Sequence, residues 1–391
     1  MRLLLVENAT HFPSYAGGSK SDQLMIAALA RRGHECRIVA RLDDETRRSP
    51  EQYAGALIDR GVAPISAADG VVVFALDSVD VHAVTSANLR LYVLKQVETF
   101  KPDLVVVSTD PLNILVHDLV RVQARKTVYL ARTTHLLPFG PDSSFVSDVK
   151  TDAIRQARAV VTVSRYLAEY IQRHSGIDAV HRPIQMMDSA NWPNLGSVEN
   201  TFVTMVNPCA LKGISIFTGL AELFEDVAFA AVPTWGTTAR DRAELAAHAN
   251  ISVLEPVDDI RDLLRQTRVT LVPSLWCEGR GRVVVESMLS GVPVLASDVG
   301  GIREAVMGIP CLLPVTPIAR YERRVDERMI RVPETLAQDL GPWRDALARL
   351  LEDRDHYSRM SASSREAAMR YAGALDIGPF ESLLQHCVST S

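Results

Sequence analysis

The chain has 391 residues, 47% of them hydrophobic and 23% charged, and a formal net charge of -5 at pH 7. Single cores stop growing near ~250–300 residues, so more than one domain is expected. The acidic balance excludes a general nucleic-acid binder, which carries a basic surplus.

No apolar run approaches the ~20 residues that cross a bilayer. The opening run at residues 3–6 is ended by Glu7, so no signal peptide is expected. Cys36, Cys209, Cys277, Cys311 and Cys387 are scattered, with no pair at C-x-x-C spacing. That argues against a zinc site and fits a reducing, cytoplasmic setting.

In chain order, strand-length runs at 3–6, 36–40, 71–76, 104–107, 128–131 and 160–163 alternate with helical patterns at 21–32, 87–100 and 148–158. The runs are unbroken rather than alternating with polar residues, the pattern of strands covered on both faces. The first leads into a loop ending in Gly17 and Gly18, before a helix from Ser21. Paired glycines there let the backbone approach a phosphate or sugar. Ser19 before Lys20 rules out a Walker A loop. Arg31, Arg32, Arg37, Arg41, Arg47 and Arg48 stand among Glu35, Asp43, Asp44 and Glu45, so this segment reads as a mixed-charge face with no membrane association indicated. His135 lies just past the run at 128–131, at the carboxyl edge where open α/β sheets bind ligands.

Around 183–200 the periodicity lapses, through Met186, Met187, Trp192, Pro193 and Gly196, as in a linker. Strand-length runs then restart at 202–206, 228–232, 251–254, 269–272, 294–296 and 312–313, and the chain ends in helical patterns from 343 onward. Two successive series imply an α/β protein of two Rossmann-like, doubly wound parallel-sheet domains facing each other across a cleft. The expected spans are 1–190 and 191–370, with a final helix at 371–391 returning to the first domain.

The most informative stretch is LVPSLWCEGRGRVVVESMLSGVPVLASDVGGIRE, residues 271–304. A buried strand runs into a loop with Glu278, Gly279, Arg280 and Gly281, and a helix begins near Arg282. Free amides at that helix start suit an anion or sugar hydroxyls. Glu286, eight positions after Glu278 with seven residues between, is suited to accept two hydrogen bonds from a vicinal diol such as ribose.

This stretch resembles the E-x7-E signature of retaining GT-B glycosyltransferases, especially glycosyltransferase family 4, in its P-S-x-x-E-G-x-G run and its G-x-P-V-L-A-S-D-V-G-G-x-x-E continuation. The resemblance implies that Glu278 addresses the transferred sugar and Glu286 the nucleotide ribose. Arg280 departs from the aromatic or bulky apolar residue usual there, and either adds charge beside the diphosphate or points outward. FVTMVNPCALKG, residues 202–213, resembles the phosphate-binding segment of the family: Lys212 matches its lysine, whereas Asn207 stands near the expected arginine. Arg280 or Arg282 is then the candidate replacement.

The same resemblance assigns His135 a place near the donor sugar, and Gly17 and Gly18 a place at its phosphate. In VPTWGTT, Gly236, Thr237 and Thr238 can offer amides and hydroxyls to the nucleotide, or a threonine can simply cap a helix beside a core tryptophan. Leu254 lies where the family holds the base by its backbone. Asp353 and Asp355 form a D-x-D in charged helical sequence and read as solvated surface.

The implied activity moves a sugar from a nucleoside-diphosphate sugar to a hydroxyl of a small-molecule or carbohydrate acceptor, with retained anomeric configuration and no metal. PFGP, NPCALKG and WGTT lean towards the bacterial specialised-metabolite branch. A GT-B nucleotide-sugar epimerase and a non-catalytic sugar-nucleotide binder are the alternatives. An NAD-dependent oxidoreductase is disfavoured, because Val284 occupies the third glycine position of G-x-G-x-x-G.

Overall fold

The computed structural model describes residues 1–42, 48–182, 184, 187, 191–327 and 330–390. The chain divides into two α/β units, Met1–Met186 with Leu375–Ser391, and Met187–Ala374.

The sheet of the first unit contains β1 (Arg2–Glu7), β2 (Glu35–Arg41), β3 (Pro64–Ala68), β4 (Val71–Leu76), β5 (Val79–Val84), β6 (Leu104–Ser108), β7 (Thr127–Ala131), β8 (Ala159–Thr162) and β9 (Val180–His181). Its order is β3-β4-β5-β2-β1-β6-β7-β8-β9. From β5 to β9 every neighbouring pair is parallel. The other end departs from the expected all-parallel sheet, because β3, β4 and β5 form an antiparallel meander. The physical reason lies in the turns. Asp69-Gly70 and Asp77-Ser78 all have positive φ, the backbone that two-residue hairpin turns demand.

The strand centres are sealed on both faces: Leu3, Leu4, Leu5, Val105, Val107 and Val161 share one core cluster. The chain's last helix, Gly378–Ser389, adds Phe380, Leu384 and Cys387 to that core. Its Glu381 accepts from His34 Nε2 at 2.7 Å and pairs with Arg32 Nε at 2.7 Å. One boundary differs from expectation. The first helix is Gly17–Arg31, so Gly17 and Gly18 are its opening residues rather than the end of a loop.

The second unit has a six-stranded parallel sheet with β10 (Phe202–Val206), β11 (Phe229–Val232), β12 (Ile251–Val253), β13 (Thr267–Val272), β14 (Val294–Ser297) and β15 (Leu312–Leu313). The order β12-β11-β10-β13-β14-β15 reverses direction at β10, which places a topological switch between β10 and β13. A two-stranded antiparallel ribbon, β16 (Tyr321–Val325) with β17 (Arg331–Pro333), was not expected.

Of the expected linker, residues 183, 185, 186 and 188–190 lie outside the described residues, as do 43–47 of the mixed-charge segment. Ile184 belongs to the core of the first unit, and residues 192–196 pack on the second. Leu195 and Gly196 donate their amides to Ser290 O, and Arg365 donates to the carbonyls of Trp192 and Pro193.

Candidate functional site

Two loops leave the carboxyl ends of β10 and β13, on either side of the switch point, and lie backbone against backbone. After β10 the chain passes Asn207 and forms a single 3₁₀ turn, Ala210–Lys212. The amides of Leu275 and Trp276, in the loop after β13, both donate to Leu211 O, at 3.0 and 3.2 Å. Gly213 is required here: its φ is +80°, and a Cβ would stand 2.0 Å from Pro273 O.

That approach brings Lys212 to Glu278. Lys212 Nζ donates to Glu278 Oε1 in an ion pair with little exposure on either side chain. Ser274 Oγ donates to the same oxygen at 2.7 Å. The ammonium also sits 4.9 Å from the centroid of the Trp276 ring and 6.0 Å from that of Trp235, a cation–π environment. Burial pushes the Glu278 carboxyl up. The Lys212 charge, with hydrogen bonds from Lys212 and Ser274, outweighs it and holds the group below the ordinary carboxylate range.

The Glu278 backbone is fixed from the other side. Gly301 N donates to Glu278 O at 2.8 Å, and a Cβ on Gly301 would lie 2.2 Å from Gly279 O. The sequence pair Gly300-Gly301 therefore exists so that two turns can touch. Gly281 then precedes the helix Arg282–Leu289, where a helix was expected. Glu286, on its second turn and only 6% exposed, accepts from Arg282 Nε at 2.7 Å.

Arg280 does not point outward. It is 6% exposed, its guanidinium stacks 4.6 Å over Tyr371, and it pairs with Glu304 at 3.7 Å. Its partners come from the helix Ile302–Ala305, where Glu304 closes the G-x-P-V-L-A-S-D-V-G-G-x-x-E run, and from the helix Arg354–Gly373, which no motif marked.

Asn207, in place of the family's arginine, has a local task. With φ +62°, its Oδ1 accepts from Gly236 N at 2.8 Å and ties the loop after β10 to the one after β11. Thr237 is fully buried beside it, and Trp235 packs 6.0 Å from Trp276. Thr238, not Thr237, caps the helix Ala239–Ala246, in a capping box with Asp241. Leu254 follows β12, its amide bound to Ala231 O at 2.9 Å. Lys212, Glu278, Gly236, Thr237, Gly279, Gly281, Arg282 and Glu286 thus stand on loops or helix starts that follow strands of one sheet. Ser274 and Trp276 were passed over. Their signal was proximity in sequence to Glu278 on one short loop.

In the first unit, His135 sits in a 3₁₀ turn, Thr134–Leu136, capped by Thr133. The ring is 7% exposed, and the carbonyl accepts from the amide and hydroxyl of Ser144. Gly18 faces the loop after β6, where a Cβ would stand 3.2 Å from Thr109 Oγ1. Asp353 caps the helix Arg354–Gly373, accepting from His356 N at 2.8 Å, as a surface residue does.

The "Glycosyl transferase 4-like domain" family model matches residues 17–184, and the "Glycosyl transferases group 1" model matches residues 219–320. A D-inositol 3-phosphate glycosyltransferase of Nocardia farcinica is 35% identical over 121 residues, 30% of this chain and 22% of the relative. An uncharacterised 42.6 kDa protein from the cps region of Klebsiella pneumoniae is 34% identical over 101 residues, 25% of this chain and 26% of the relative. These matches span about a quarter of each curated relative. Among solved structures, the sucrose-phosphate synthase of Thermosynechococcus elongatus has a TM-score of 0.69 at 14% identity, covering 100% of both chains. Anabaena HepE in complex with UDP-glucose has a TM-score of 0.68 at 16% identity, again over 100% of both. Among the described residues, no helix is long and apolar enough to cross a membrane.

Proposed function

We propose that this chain, which belongs to the glycosyltransferase 4-like family of two-domain α/β proteins with the GT-B fold, moves a sugar from a nucleoside-diphosphate sugar to a hydroxyl of a small-molecule or carbohydrate acceptor, with retention and without a metal, in the cytoplasm. The observation that carries this reading is the Lys212–Glu278 pair at the switch point, with Ser274 on the same carboxylate and Trp276 beneath the ammonium.

In this reading the bond between the anomeric carbon and the diphosphate oxygen breaks, and its electron pair leaves on the diphosphate. The acceptor oxygen bonds to the same face of that carbon and gives its proton to the departing diphosphate. Lys212 meets the developing negative charge, so its interaction strengthens along the reaction and lowers the barrier. Glu278, kept ionised by Lys212, accepts hydrogen bonds from the sugar hydroxyls. Glu286 orients the ribose, and amides at Gly279 and Gly281 face the diphosphate.

A thermal-shift screen against nucleoside diphosphates and their sugars, followed by assay of diphosphate release, tests the reading. Stabilisation by a nucleoside diphosphate with release from its sugar supports it. Failure of every nucleotide to bind overturns it, and release of a rearranged free sugar without acceptor reassigns the chain as an epimerase.

A further inference from the structure

The first unit seals a set of ionisable side chains from solvent. Glu7 closes β1, Ser108 closes β6, and Asp22 lies in the helix that begins at Gly17; all three are fully buried. Arg132 directly follows β7, with its side chain 6% exposed. Asp22 takes Arg132 Nη2 on Oδ1 and Ser108 Oγ on Oδ2, the latter at 2.7 Å, while Arg132 Nε donates to Ser108 Oγ at 3.3 Å. The Glu7 and Asp22 carboxyls influence each other's charge, and Glu7 Oε2 pairs with His11 Nδ1.

Such a set is a poor source of stability. Removing each ion from water costs several kcal/mol, and well-packed apolar residues do as well. What it provides is a single arrangement of the four segments it joins. Two of them lead directly to residues already singled out. Arg132 precedes Thr133, the cap of the His135 turn, and Asp22 is on the helix opened by Gly17 and Gly18.

The charge balance is narrow. The titratable and charged groups facing Asp22 are Glu7 from β1, His11 from the loop after it, and Arg132 from the end of β7. Burial pushes His11 down to about 4, so it adds no charge at neutral pH. One guanidinium therefore faces two carboxyls sealed from water, and one charge balances only one of them, which favours the other keeping a proton. Burial pushes both Glu7 and Asp22 up to about 7.

We propose that Glu7, Asp22, Ser108 and Arg132 are positioning residues for the sugar transfer: with one proton shared between the two carboxyls they hold the Gly17 helix start and the His135 turn in one arrangement, and they loosen it when that proton is lost. The catalytic part of this proposal rests on the function proposed above. The conformational part does not.

The test uses the full chain, wild type and Glu7→Gln, because glutamine keeps a donor towards Asp22 and cannot titrate. Backbone hydrogen exchange at 17–21 and 133–137 is followed from pH 6 to 9, corrected for intrinsic rates. Wild-type protection should fall by up to about tenfold per pH unit above the transition, as the protonated population does. In Glu7→Gln it should stay flat. Arg132→Lys, which keeps the charge but not the fork, should lose protection at every pH. Diphosphate release from UDP-glucose, used as the probe donor, should show the same alkaline loss in kcat with KM within about twofold, again flattened by Glu7→Gln.

Wild-type exchange that ignores pH, or a pH response that survives Glu7→Gln, overturns the network. Exchange as expected beside a pH-independent kcat overturns its role in the reaction. If no nucleotide sugar is turned over by the wild type, the proposed function fails while the exchange result still decides the network.

Discussion

Lys212 is the residue on which both the proposed chemistry and the local stability turn. Its ammonium holds the buried Glu278 carboxyl below the ordinary range. In the folded wild type this lowered pKa contributes stability above the unfolded value, lost as pH falls through the folded one. Lys212→Ala leaves Glu278 to burial, which pushes its carboxyl the other way, so the variant loses stability as pH rises. The melting temperatures of the two proteins should therefore diverge from pH 4 to 7, with a gap of up to about 3–5 kcal/mol for a broken buried pair. Turnover should fall by about 10²–10³, the loss expected of one electrostatic donor. Thermal melts and steady-state kinetics check both, and melts that run parallel across that range would contradict the coupling. Glu286→Gln should weaken binding of the nucleoside diphosphate roughly tenfold, by calorimetry, since a charge-assisted hydrogen bond becomes a neutral one. Lys212 and Glu278 were legible one by one in the sequence, as the lysine before Gly213 and the carboxylate before Gly279. Their pairing was not, because it depends on Gly213 packing against Pro273 O, a contact between distant strands.

At the level of elements, the buried parallel strands were readable because burial on both faces leaves an unbroken apolar run. The meander β3-β4-β5 was missed because Pro64–Ala68 is mostly exposed and lacks that run, although Asp69-Gly70 is itself a hairpin signal. The helix Gly17–Arg31 was started late because two glycines suggested a loop, and packing overrode their low helix propensity. The surroundings of Arg280 were not legible for a related reason. A charged residue between two glycines looks directed at ligand, yet Tyr371 from a helix 91 positions later in sequence captures its guanidinium. Arg280→Ala should therefore lower stability by about 2 kcal/mol, the worth of a desolvated cation–π contact. Arg280→Lys should recover less than half, lacking the planar group. Affinity for UDP should change less than about twofold in either variant by calorimetry, within a few tenths of a kcal/mol. A tenfold loss of UDP affinity without loss of stability would return Arg280 to the donor site.

At the scale of the whole molecule, two α/β units were legible from the two series of strands, because each series carries its own apolar runs and its own helices. The transition between them was harder to read: residues 192–196 lack periodicity because they lie over Ser290 and Arg365 without forming an element. The stereochemistry of the reaction also belongs to this scale, since it depends on where donor, leaving group and acceptor stand together. In Glu278 one carboxylate oxygen, Oε1, is engaged by both Lys212 and Ser274, and the residue is 7% exposed, so the proposed reading gives it the sugar hydroxyls rather than the anomeric carbon. A double displacement through a glycosyl-enzyme is thereby disfavoured, and a general base on the opposite face would give inversion. Departure of the diphosphate against Lys212, with the acceptor entering on the departing side, gives retention. It also assigns charge neutralisation to a lysine and helix amides, so EDTA should leave the rate unchanged. Proton NMR of the first product formed from a UDP-sugar should thus show the anomeric configuration of the donor, in buffer with or without EDTA. An inverted linkage would remove the front-face mechanism and Lys212's place in it, and a rate abolished by EDTA and restored by magnesium would transfer the role of Lys212 to a metal ion.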